Sequence, residues 1–286
     1  MAGPTLLIGS SGMLGSAFRS HLPKSNLVLL DRFALSVQEP TKLLSTVSEI
    51  SPSLIINCAA DTNVEAAEQS PAAGFAANAL LPGILAQAAR DADALLVHFS
   101  STGCYGGNST APHSDFEQLN PASAHHRSKA AGEAEVRDAA CRHLILRLGW
   151  LYGGTVEHKK NFVMARIKEA RGSEPMSSDP YQTGSPTYVD DVVRQTSMLI
   201  EANLTGTFNC VATGAVTRYD YVARILLLAG LDKRLTPKRF ARKAPVAANE
   251  AAVNDKLTLL SLNKMPEWDV SLASYIQTLL AAEKNA

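Results

Sequence analysis

The first residues whose types and spacing imply chemistry are Gly9-Ser10-Ser11-Gly12-Met13-Leu14-Gly15, directly after the apolar run Thr5-Leu6-Leu7-Ile8. A helical stretch over residues 16–22 follows, then a second apolar run, Leu27-Val28-Leu29-Leu30, ending at Asp31-Arg32. Strand, glycine turn, helix and strand form the unit that sets a dinucleotide pyrophosphate on a helix N-terminus. Glycine suits the turn because a Cβ would block the backbone's approach to phosphate. Gly9, Ser11, Gly12, Met13 and Leu14 are therefore candidate cofactor-binding residues. Asp31, about 20 positions past the first glycine, can accept from ribose hydroxyls. Its neighbour Arg32 would favour a 2′-phosphate, so NAD and NADP both stay open. A glycine-rich turn with no ligand is the plain alternative.

Two further groups stand out. Leu54-Ile55-Ile56-Asn57 runs into Cys58-Ala59-Ala60, small residues that leave room for a ligand at a strand's C-terminal end. The stretch His125-His126-Arg127-Ser128-Lys129, rich in titratable side chains, opens a helix. Histidine titrates near neutrality and is a common general acid.

The elements that must position these residues alternate. Apolar runs at Leu54–Ile56, Leu95–Phe99 and Leu144–Leu148 read as strands, and residues 40–50, 75–90 and 128–140 as helices. That interval predicts an α/β fold, a doubly wound parallel (Rossmann) sheet with a smaller C-terminal substrate lobe. Residues 1–150 are expected to form the dinucleotide-binding domain. Residues 151–286 should form mainly the lobe, with some segments returning to the sheet.

Composition narrows the function classes. Lys+Arg and Asp+Glu both number 27 in 286 residues, so no net field draws nucleic acid or an anionic membrane. The apolar residues fall in runs too short to span a bilayer, and the N-terminus lacks a basic-then-apolar leader. Cys58, Cys104, Cys141 and Cys210 show no metal-ligand spacing, so no metal is expected. Cys58 and Cys210 read as buried small hydrophobes, and the reduced cytoplasm as the compartment. The basic cluster Lys233-Arg234, Lys238-Arg239 and Arg242-Lys243 reads first as a solvated face, with an anionic ligand as the alternative.

The glycine turn, Ser100-Ser101-Thr102-Gly103-Cys104-Tyr105-Gly106 and His125-His126-Arg127-Ser128-Lys129 together resemble the extended short-chain dehydrogenase/reductase family. Members place a Ser or Thr after the fourth strand and a Tyr-x-x-x-Lys pair on the next helix. In that pair the lysine charge lowers the phenol pKa, so the phenol can exchange a proton near neutral pH. Further strings are similar to the dTDP-4-dehydrorhamnose reductase branch: Asn57–Thr62, Val64–Glu68, Asn78–Leu80, Arg147–Gly153, Asn161–Val163 and Gln182–Tyr188. That branch reduces the 4-keto group of a nucleotide-linked 6-deoxysugar with NAD(P)H.

The resemblance implies that Ser101 hydrogen-bonds the sugar carbonyl and that Lys129 holds the nicotinamide ribose. It implies that Trp150 and the loop from Gly184 to Thr187, Pro186 included, border the sugar, with Thr102, Tyr105 and Asn161 also on the substrate side. A nucleotide-sugar partner follows, with a homodimer left open. Two departures stand against the pattern. His125 occupies the position of the proton-donating tyrosine, and Ala244-Pro245-Val246-Ala247 lacks the branch's Arg-Pro pair. Three readings of His125 follow: it donates the proton itself, the protein binds cofactor without turnover as a regulatory homologue, or Tyr105 supplies the proton. An epimerase or dehydratase of the same superfamily is a further alternative.

Overall fold

The computed structural model describes residues 3–30 and 36–284. Asp31 and Arg32 lie outside the described residues. In chain order the first half comprises β1 (Thr5–Ile8), α1 (Met13–His21), β2 (Leu27–Leu30), α2 (Pro40–Ile50), β3 (Leu54–Asn57), α3 (Val64–Gln69), α4 (Pro71–Phe75), α5 (Leu81–Asp91), β4 (Leu95–Ser101), α6 (Ala124–Asp138) and β5 (His143–Leu148). The second half continues with β6 (Trp150–Tyr152), α7 (Phe162–Arg171), β7 (Met176–Ser178), β8 (Thr183–Gly184), β9 (Pro186–Tyr188), α8 (Val189–Glu201), β10 (Gly206–Cys210), β11 (Val216–Thr217), α9 (Arg218–Leu228), β12 (Leu235–Pro237), α10 (Asp255–Leu259) and α11 (Trp268–Lys284).

Six strands pair in the order β10-β5-β4-β3-β1-β2, all parallel. Side chains alternate across a strand, and here both faces are apolar. Leu7, Ile56, Val97 and Leu146 point to one face, under Phe18 of α1 and Val192 of α8. Leu6, Ile55, Leu96 and Ile145 point to the other, under Val47, Leu85 and Val136. The expected doubly wound sheet is the fold observed. Chain order reverses between β1 and β3, and open α/β sheets bind ligands beyond the C-terminal strand ends at such a switch.

Beyond Tyr152 the chain builds a second cluster, in which Tyr152, Ile167, Tyr221, Ile225 and Tyr275 pack α7, α9 and α11 together. Both α8 and β10 return to the sheet.

Several boundaries differ from the sequence expectation. The helix read as residues 75–90 runs continuously from Pro71 to Asp91 through a π-helical stretch, Ala76–Leu80. Pro82 has no N–H and would clash in a regular turn, and the widened turn just before it absorbs that conflict. This run alone among the described residues is long and apolar enough to cross a membrane, yet Leu81, Leu85, Ala86 and Ala89 bury it in the core. α6 begins at Ala124 rather than Ser128, because the Ser123 hydroxyl accepts from the His126 N–H and caps it. The polar, proline-bearing stretch over residues 172–185 contains β7 and β8.

One buried ion pair ties α6 to the sheet. Arg147 donates to both Glu133 oxygens, at 2.9 and 2.7 Å, and Glu133 is fully buried. Removing one member of a buried pair strands the other charge at a cost of about 3–5 kcal/mol. Arg147→Ala should lower unfolding stability by that amount in urea titrations, whereas Arg142→Ala, on the exposed side, should change it by less than about 0.5 kcal/mol.

Candidate functional site

The glycine turn closes tightly. Gly9 has φ +76°, and a Cβ there would sit 2.7 Å from the Ala59 nitrogen. A Cβ on Gly15 would lie 2.1 Å from the Gly9 carbonyl oxygen, so only glycine lets α1 start against β1. Gly12 differs: its Cβ would meet nothing nearer than 3.5 Å, so its bareness leaves open space. Gly12 is also the N-cap of α1, and no side chain caps that helix. Its first-turn amides, with the positive end of the helix dipole, are therefore available to an anion.

A cavity of about 680 Å³ opens there, lined by Ser11, Gly12, Met13 and Leu14 on one side and by Cys58 and Ala60 at the end of β3. Ser101, His125 and Lys129 line its far end. Cys58 is thus only partly buried and faces the cavity, unlike the buried Cys210. Ala59 forms the turn itself, its N–H donating to the Asn57 Oδ1. A strap over residues 153–161 crosses the opening: His158 meets the Ser16 hydroxyl at 3.3 Å, and Lys160 donates to Thr62.

A second cavity of about 300 Å³ lies on the other side of Ser101. Its walls include His126, Trp150, Gln182, Arg218, Arg242 and Glu250. Ser101, Thr62 and Leu151 line both cavities, so the two meet at the end of β4. A third space of about 280 Å³ adjoins through Gln182, Arg242 and Val246 and is bordered by Tyr181, Arg239 and Phe240.

The side chains at the junction are strongly perturbed. Burial pushes His125 down to about 4, helped by the neighbouring His126 and Lys129 charges. Burial takes His126 to about 4 as well, with Lys129 again opposing a second positive charge. Lys129, 5% exposed, is pulled down to about 8 by desolvation. The Ser101 hydroxyl accepts from the Gly103 N–H, which leaves its own proton free to donate into the junction.

The structure brings together Ser11, Gly12, Met13, Leu14, Cys58, Ala60, Ser101, His125, Lys129 and Trp150 around these cavities. Other candidates lie elsewhere. Tyr105 is buried away from both: its hydroxyl donates to the Asn209 Oδ1 and accepts from Arg147, and burial pushes it up to about 12. Thr102 is buried with its hydroxyl on the Glu250 carbonyl, and Asn161 caps α7 and donates to Tyr275. Gly184 lies flat beneath the Trp150 indole, where a Cβ would come within 2.2 Å, and Pro186 pairs with Trp150 across β9 and β6. Those two shape the wall without forming it.

Sequence reasoning missed His126, Arg218 and Glu250. It read Arg239 and Arg242 first as a solvated face. Arg218 stacks on Trp150, its guanidinium carbon 3.4 Å from the ring centroid. Only the clustering of basic residues near 240 signalled an anion site.

Sheet, glycine turn and the Ser101–Lys129 junction define an extended short-chain dehydrogenase/reductase fold. More particularly, the chain belongs to the RmlD substrate binding domain family, which matches residues 3–281. It is 29% identical to the dTDP-4-dehydrorhamnose reductase of Mycobacterium tuberculosis, over 98% of this chain and 93% of that one. It is 30% identical to the probable dTDP-4,6-dihydroxy-2-methyloxan-3-one 4-ketoreductase of Streptomyces antibioticus, over 97% and 96%. The crystal structure of dTDP-4-dehydrorhamnose reductase from Bacillus anthracis in complex with NADP superposes with a TM-score of 0.92 at 27% identity, covering 97% of this chain and all of that one.

Tyr105→Phe is a direct check on the hydroxyl's structural place. It strands hydrogen-bonding groups on Arg147 and Asn209, so stability should fall by about 1–3 kcal/mol. Affinity for reduced nicotinamide cofactor, followed by fluorescence, should stay within about twofold of wild type.

Proposed function

We propose that the chain is an NAD(P)H-dependent reductase of the 4-keto group in a nucleotide-linked 6-deoxysugar. The observation that carries this reading is the meeting of two unlike cavities at Ser101. One presents a bare helix N-terminus and a buried lysine; the other presents arginines beside an indole. The named activities of the full-length relatives, and the NADP bound by the Bacillus anthracis neighbour, support the same reading.

The first cavity suits a nicotinamide dinucleotide. The open space over Gly12 and the uncapped amides of α1 fit a pyrophosphate, and Lys129, with no carboxylate within ion-pair distance among the described residues, fits ribose hydroxyls. Bound there, the reduced cofactor supplies hydride. The Ser101 hydroxyl polarises the carbonyl by donating to its oxygen. Arg218 and Arg242 offer donors to a diphosphate, while Trp150 gives the sugar an apolar wall. The four unpaired cysteines suit a reducing cytoplasm.

His125 is placed to give the oxygen its proton, and its environment sets when it can. With its pKa near 4, the charged fraction falls about tenfold per pH unit above that value.

Two measurements test this reading. Gly12→Asp, at an ordinary φ and with room for a Cβ, should leave the fold intact and abolish NADPH binding by setting a carboxylate against the pyrophosphate. Turnover of dTDP-linked 4-keto-6-deoxysugars should be detectable, and near pH 4.5 His125→Phe should cut it roughly 10²–10⁴-fold. A wild type inactive from pH 4 to 9 beside an active His125→Tyr would identify a cofactor binder instead.

A further inference from the structure

At neutral pH a histidine held near 4 is almost wholly uncharged, so the junction needs a second proton source there. The lining of the second cavity includes one carboxyl group, Glu250, which is 7% exposed. Its backbone is fixed on both sides: the N–H donates to the Thr183 carbonyl, and the carbonyl accepts from the Thr102 hydroxyl. The side chain is fixed at one oxygen only. Trp150 Nε1 donates to Oε2 at 2.7 Å. Oε1 faces His126 Nε2 at 3.9 Å, beyond hydrogen-bond reach, and no arginine or lysine lies within ion-pair distance of either oxygen among the described residues. His126 is itself wedged in place, its ring against Gly103 and its Nδ1 on the Ser123 hydroxyl.

We propose that Glu250 is a catalytic residue of the reduction described above, donating the proton to the keto oxygen from the second cavity. The proposal rests on that reading. As hydride reaches the carbonyl carbon, the C=O π pair moves to oxygen. The oxygen takes the proton from Oε1–H, and the electrons of that bond remain on the carboxylate. The product is the alcohol. The carboxylate left behind keeps its Trp150 hydrogen bond and faces the Arg218 guanidinium stacked on the same indole. Solvent restores the proton after release.

Burial is the main influence on this carboxyl and raises its pKa. Trp150 and the charges of Arg218, Arg242 and His125 work in the opposite direction without overcoming it. His126, the remaining titratable neighbour, is uncharged over the same range. A raised pKa favours the protonated form of this carboxyl, the form that can donate.

The test has two independent arms. In the first, the intact protein labelled with ¹³C at glutamate carboxyls is titrated by NMR, and the resonance missing from Glu250→Gln is assigned to Glu250. It should titrate close to neutral pH or above, far beyond the ordinary glutamate value near 4.3, with and without NADPH; ionisation well below neutrality removes the donor at pH 7 and overturns the proposal. Titration together with the exposed glutamates overturns the proposal whatever the kinetics show. In the second arm, Glu250→Gln keeps an oxygen for Trp150 and loses only the proton. At pH 7 it should lower kcat by about 10²-fold or more, with the NADPH Kd unchanged. Near pH 4.5, where roughly a quarter of His125 is charged, the loss should shrink, and His125→Phe should show the opposite pattern. A Glu250→Gln enzyme within about twofold of wild type at pH 7 overturns the proposal. Absence of wild-type turnover with every 4-keto sugar overturns the reductase reading and the donor role with it, leaving the titration to report separately on the carboxyl.

Discussion

The bidentate contact between Arg147 and Glu133 is the interaction on which the site's geometry depends. Glu133 sits one turn beyond Lys129 on α6, and Arg147 sits on β5. Their two short hydrogen bonds fix the rotation of α6 against the sheet, and hence which of its residues face the junction. Arg147 also donates to Tyr105, which donates to Asn209 on β10, so one guanidinium links helix α6, the segment after β4 and an edge strand. The carboxylate is held well ionised by that guanidinium despite full burial. Such a pair contributes little net stability against an apolar substitute but fixes a unique arrangement. Close packing on the other side of α6 has the same effect, since a Cβ on Gly132 would sit 2.0 Å from the Asn78 carbonyl oxygen.

A second constraint is electrostatic. Lys129, His125 and His126 crowd three basic groups into one turn of a buried helix face; desolvation pulls all three toward neutrality, and the Lys129 charge lowers both histidines further. Glu133 offsets little of this, because Arg147 and Arg137 already engage it. The junction can therefore accept an anionic ligand from either side without first breaking an ion pair of Lys129. Net charge says nothing of this, because the chain as a whole is balanced.

Much of the fold was legible from periodicity. The short apolar runs, the glycine spacing and the strand-helix alternation fall where the sheet has them, since a strand buried on both faces has to be apolar throughout. That Gly12, Cys58, Ala60 and Lys129 line one cavity was legible for the same reason: each is local to one strand end or one helix turn. The lining of the second cavity was not. Arg218, Arg242 and Glu250 come from three separate segments of the second half and meet only through the fold. Tyr105 misled because its position in the sequence, just beyond Ser101, looks like the site, whereas the short turn after β4 swings its ring beneath the sheet edge onto Arg147. Asn161 misled likewise, its side chain spent on capping α7.

His125 and the stretch Ala244–Ala247, where the sequence departs from the resemblance, lie at two cavities that meet at Ser101: His125 lines the first and Val246 the second. Val246 borders the second cavity, and the chain passes from it through Asn249, which anchors to the Ala111 carbonyl, into Glu250. A phenol remains protonated at neutral pH and so serves as its own reserve; a buried imidazole does not. A carboxyl group responds to burial in the opposite sense, gaining its proton where the imidazole loses one. Desolvation thus acts on His125 and Glu250 in opposite senses, lowering the pKa of the one and raising that of the other.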